Sequence, residues 1–108
     1  MNVNKERRKA LSAIIAKLER IKAQTNNNAN DVSDQINSAK DDLEYVLSDE
    51  QYSLDSIPEN LQSSYRYTLS EEACDKMENA IESLSDAIDD DMVANIDDAI
   101  SSIYDAMT

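Results

Sequence analysis

The chain has 108 residues and a net charge of −13, with no glycine, histidine, tryptophan or phenylalanine, one proline and one cysteine. Strand-rich folds need glycine and proline at their frequent corners, so this composition points to long helices and an all-α domain. Without histidine or glycine there is no imidazole base, no His zinc ligand, no Ser-His or Cys-His triad and no phosphate-cradling loop, so no enzyme activity, metal or cofactor is expected.

The charge is sorted along the chain. Residues 1–22 carry seven bases against Glu6 and Glu19, a net of +5, whereas residues 23–108 sum to −18. The single Cys74 cannot form an internal disulfide and fits a reducing compartment. No apolar run approaches 18 residues and the N-terminus lacks a hydrophobic leader, so a soluble cytoplasmic protein is expected, with no membrane contact.

Residues 5–22 predict an amphipathic helix whose apolar face is Leu11, Ile14, Ile15, Leu18 and Ile21, with Arg7 and Arg8 outward. Thr25 to Asp31 holds four asparagines and is a soft point, yet the apolar phase continues across it through Val32, Ile36, Ala39, Leu43 and Val46. That continuity predicts one long first arm, about 5–56, roughly 75–80 Å long. Ser56 and Glu59 have capping-box spacing around Pro58, predicting a short helix at 58–63 in a corner that spans 57–68. Thr68 and Glu71 form a second capping box, so the second arm is expected from Leu69 to about 107. Its inner face is Ala73, Met77, Ala80, Ile81, Leu84, Ala87 and Ile88, then Ile96, Ala99, Ile100, Ile103, Tyr104 and Met107. Asp89-Asp90-Asp91 interrupts it, and the helix either continues through them or breaks there.

The expected architecture is a single all-helical domain, an antiparallel hairpin of two long arms closing a coiled-coil-like seam. If both soft points break, the same stripes make a four-helix bundle. Two arms alone bury limited area, which favours a homodimer.

Several segments carry a resemblance. They are Asp41-Asp42-Leu43-Glu44, Ser48-Asp49-Glu50-Gln51-Tyr52, Ile57-Pro58-Glu59-Asn60-Leu61-Gln62-Ser63-Ser64 and Met77-Glu78-Asn79-Ala80-Ile81. Together they resemble a group of short helical proteins encoded by tailed bacteriophages and prophages, over roughly residues 5–90. That group combines a charged N-terminal helix, a DEEQ…PExLQxSxR corner and a MExAIxxLxxAI second helix. Here Tyr52-Ser53-Leu54-Asp55-Ser56 replaces an aromatic-Asp-Asn run, and Tyr67 stands where glycine is common. The resemblance implies a phage origin, a bacterial host cell and a hairpin fold, and it transfers no activity.

The sharpest candidate site is acidic. Glu71, Asp75, Glu78, Glu82, Asp86 and Asp89 recur at helical steps, joined by Asp90, Asp91, Asp97 and Asp98, with Lys76 as the one base in 68–108. Such a stripe could imitate a nucleic-acid backbone and bind a basic groove of a host nuclease or other nucleic-acid-binding protein, as an anti-defence inhibitor. One row supplies about one carboxylate per 5 Å, against one phosphate charge per roughly 1.7 Å of duplex, so a second row is needed. Asp41, Asp42, Asp49, Glu50 and Asp55, or a second subunit, could provide it. The rival readings are a solvated face that keeps a small protein soluble, and a coiled-coil assembly adaptor working through the apolar seam. The basic cluster Lys5, Arg7, Arg8 and Lys9 is expected to pair with acids of the neighbouring arm, near Asp97, Asp98 and Asp105, rather than to bind nucleic acid directly. Tyr52, Tyr65, Arg66 and Tyr67 form a possible contact patch at the corner. Asp89–Asp91 lacks the turn glycine and twelfth-position Glu of a calcium loop.

Overall fold

The computed structural model describes residues 5–23, 29–61, 64–89 and 92–107. They form four helices: α1 (Lys5–Ala23), α2 (Ala29–Asp55), α3 (Tyr65–Asp89) and α4 (Met92–Met107), with one turn of 3₁₀ helix at Glu59–Leu61. The described residues are all helix and connection, with no strand.

Each helix carries one apolar stripe, and the stripes meet in a single core. Leu11, Leu18 and Ile21 of α1, Ile36 and Leu43 of α2, Met77 and Leu84 of α3, and Ile96 and Ile103 of α4 are its largest fully buried side chains. Burying each such side chain stabilises the fold by roughly 1.5–3 kcal/mol. With no Phe or Trp available, alanines at Ala39, Ala73, Ala80, Ala99 and Ala106 let the helix axes come close while the aliphatic side chains interdigitate. Tyr104, expected on the inner face, is half exposed. Ala106 occupies the buried position of the last turn in its place.

The first arm is not one rod. A continuous helix would hold Lys17 and Asp42 about 37 Å apart, but their side chains form an ion pair at 3.1 Å. Arg7 likewise meets Asp49 at 2.9 Å. The helix α2 therefore runs back along α1, and the longest dimension of the molecule is 52 Å, well short of the rod. The physical reason is that asparagine is a weak helix former, so interrupting the helix costs little, and folding back lets the α1 stripe find a partner within the chain. The asparagine-rich segment itself, Thr25 to Asn28, lies outside the described residues.

The remaining neighbours are also antiparallel. Lys40 of α2 donates to Ser85 of α3, and Gln51 to Glu78. Lys76 of α3 lies 3.9 Å from Asp105 of α4, and Lys22 of α1 pairs with Asp97 of α4 at 2.6 Å. Each helix thus packs on two others: α1 on α2 and α4, and α3 on α2 and α4. The second arm folds back as well, since a continuous helix would hold Lys76 and Asp105 more than about 40 Å apart and they lie at 3.9 Å. Asp90 and Asp91, where the soft point was expected, lie outside the described residues.

The corner departs from its expected capping. Ser56 does not open a helix. Its N–H and Oγ both donate to the Tyr52 carbonyl, closing the last turn of α2. Pro58 then accepts from the Leu61 N–H in a 3₁₀ turn over Glu59–Leu61, within the predicted 58–63 helix, whose last two residues lie outside the described residues. The next helix starts at Tyr65, four residues before Leu69. Ser64 is its cap, accepting from the Tyr67 N–H at 3.2 Å through Oγ. Thr68 is already inside the helix, its hydroxyl donating back to the Ser64 carbonyl. Ser64 wins because capping there extends α3 by a turn.

Candidate functional site

The acids of α3 are placed outward as a stripe. At about 100° per residue, Glu71, Asp75, Glu78, Glu82, Asp86 and Asp89 fall within about 80° of arc, opposite the buried Ala73, Met77, Ala80, Leu84 and Ala87. Glu71, Asp75, Glu78, Glu82 and Asp86 are exposed. The carboxylate of Glu78 accepts from Gln51. On the adjacent α4, Asp97 and Asp98 are exposed too, although Asp97 is held by Lys22. Asp90 and Asp91, also expected in the stripe, lie outside the described residues, as does the side chain of Asp89. The helix α3 carries seven acids against Arg66 and Lys76, and α4 carries three acids and no base, so this pair of helices totals −8.

The second acidic row expected from the first arm is largely engaged within the chain. Asp42 is bound by Lys17, Asp49 by Arg7, and Glu50 is not outward at all. Glu50 is only 3% exposed. Its Oε1 accepts from Arg7 Nε at 2.9 Å and its Oε2 accepts from Ser70 Oγ at 2.5 Å. Arg7, expected outward, turns inward instead, its side chain 13% exposed. Burial works to lower the Arg7 pKa, but hydrogen bonds and charge from Asp49 and Glu50 outweigh it, so the guanidinium is held more firmly protonated than usual. Burial, reinforced by Glu50, Glu78, Asp75 and Asp55, pushes the nearby Cys74 thiol up to about 12, leaving it inert as a nucleophile.

This polar layer carries a signal in the sequence. Arg7 sits four residues before Leu11, Glu50 lies between Val46 and Leu54, and Ser70 precedes Ala73 and Cys74. All three occupy core-phase positions near the same end of the molecule, so three helices bring them together.

Of the basic cluster at the start of α1, Arg7 pairs with acids of α2, not with the α4 acids expected for it. An ion pair of α1 with α4 is made further along, by Lys22 and Asp97, whereas Lys17 takes Asp42 of α2. At the corner, Tyr52 and Tyr65 are 76% and 77% exposed on either side of the 3₁₀ turn, and Arg66 is exposed. Tyr67 is half buried in the first turn of α3.

One feature escaped sequence reasoning. Between α1 and α2 lies an open groove of about 420 Å³. Buried Ile14 and Val46 form its bottom, Ala10 and Ala13 one wall, and Tyr45 the other, with Lys17, Arg20 and Asp42 at the rim. Tyr45 is 76% exposed. Its outward phase on α2 was legible, but the groove exists only because α2 folds back on α1.

Among the described residues no group of three or more acidic or cysteine side chains is arranged to hold a metal ion, and no helix is long and apolar enough to cross a membrane. No family model, no curated protein and no solved structure matches this chain.

Proposed function

We propose that this protein is a phage-encoded acidic four-helix bundle that binds and occludes a basic, nucleic-acid-binding surface of a host protein, as a nuclease inhibitor would. It acts by stoichiometric contact in the bacterial cytoplasm, without chemistry, cofactor or direct nucleic-acid binding, and as a homodimer. The observation that supports this reading is the outward stripe on α3, Glu71 to Asp86, on the −8 half of the molecule. Like charges at neighbouring helical positions oppose folding, and among the described residues no base forms an ion pair with Glu71, Asp75, Glu78, Glu82 or Asp86 to offset that. A basic groove would offset it on binding, and opposite potentials would speed the encounter.

The adaptor reading draws less support, because the apolar seam it needs is covered within the chain: Leu84 is fully buried and Ile88 packs against the core. The readings separate experimentally by capturing partners from an infected-host lysate at about 50 and 500 mM salt with the wild type and with a Glu78→Lys, Glu82→Lys, Asp86→Lys variant. Blockade through the stripe predicts a salt-sensitive partner, lost at least about tenfold in the triple variant while helical circular dichroism is unchanged. Equal capture by the variant excludes the stripe.

A further inference from the structure

The four helices divide the molecule into two electrically different halves. The helix α1 carries seven bases and two acids, and α2 eight acids and one base, so the half they form is nearly neutral at −2, against −8 for α3 and α4. Two copies of so acidic a chain repel each other least through a face that includes α1, which sums to +2 with α4 and −2 with α2, and shape selects the α1–α2 face. The same face holds the groove with its exposed Tyr45 beside Ala13. It is also divided lengthwise, positive along α1 and negative along α2.

We propose that the α1–α2 face is where two copies of this chain meet, about a twofold axis running parallel to the helices. This rests on the dimeric state proposed above and gives it a surface and an orientation. A twofold axis lying across the helices would stack α1 on α1 and base on base. An axis along them lays α1 of one copy over α2 of the other, so both contacts join unlike charges. The ion pairs Arg7–Asp49 and Lys17–Asp42 set the heights, since residues of α1 and α2 whose numbers sum to about 57 lie level. On that scale Tyr45 covers Ala13 of the partner subunit. Exposed Lys9 comes over Asp49 of the partner subunit, and exposed Ala16 over Asp41 of the partner subunit. A large ring closing over a small residue is a favourable interface anchor. The face is about 28 Å long and about 20 Å wide, giving on the order of 1,100 Å² buried in total, at the low end for a specific pair. The acidic α3 stripes then point away from each other on opposite sides of the dimer.

Sedimentation equilibrium or light scattering at about 10–100 μM tests this without any partner protein, so its outcome is independent of the blockade reading. The expected mass is about 24 kDa, twice the 12.1 kDa chain. Tyr45→Asp, at an exposed position that cannot unfold the core, should return a single-chain mass with unchanged circular dichroism, its dissociation constant raised at least about tenfold. Orientation is read in a Cys74→Ala background by mixing chains carrying Ala16→Cys with chains carrying Asp41→Cys and adding a short bis-maleimide. A crosslink between the two kinds of chain supports the lengthwise axis. A single-chain mass for the wild type, a dimer that survives Tyr45→Asp, or Ala16→Cys chains that crosslink only to themselves would each overturn the proposal.

Discussion

Arg7, Glu50 and Ser70 are the residues whose placement most changes the account of this chain. A buried carboxylate is costly unless it is paired and hydrogen-bonded, and Glu50 is both, through Arg7 and Ser70. Deleting one partner should cost more than replacing the pair. Arg7→Met leaves Glu50 buried with only a hydroxyl and is expected to lower unfolding free energy by about 3 kcal/mol. Arg7→Met combined with Glu50→Leu should recover most of that loss, because no uncompensated charge remains. Urea denaturation of the two variants checks the difference; equal losses would mean that the pair is not coupled. The exposed pair Lys17–Asp42 contributes at most about 1 kcal/mol, and the Lys22–Asp97 pair lies in solvent where salt screens it.

At the scale of the element, helix identity and the outer ends of the arms, near 5, 56 and 107, were legible, and the start of α3 was not. Every apolar stripe expected from spacing is found on a helix, with Tyr104 the one large side chain turned out of it. The start of α3 was misplaced because Ser64 and Thr68 are both good caps, four residues apart, and local chemistry does not rank them. In the structure Ser64 Oγ accepts from the third N–H of the helix, while Thr68 only reinforces the first turn. Ser64→Ala should therefore destabilise by about 1 kcal/mol and Thr68→Ala by a few tenths. Thermal melts of both variants distinguish the assignments, since the reverse order would restore the start at Leu69.

For the molecule as a whole, the four stripes share one core, so unfolding should be a single cooperative transition. Leu84 on α3 is fully buried in that core. Leu84→Ala is expected to cost about 3 kcal/mol and to shift melting followed at Tyr45 and at Tyr104 by the same amount. Separate transitions at the two sites would mean that α1–α2 and α3–α4 fold independently. Helical identity, the apolar faces and the segregation of bases into the first helix follow from spacing and composition, because a 3.6-residue period acts along the chain and needs no partner. Where α1 turns back on α2, why Glu50 is inside while Asp42 and Asp49 are tied at the surface, and the Tyr45 groove were decided by tertiary contact. Each depends on which stripe meets which across 20–40 residues, and a continuous helix and a folded one satisfy the same periodicity until long-range burial chooses between them.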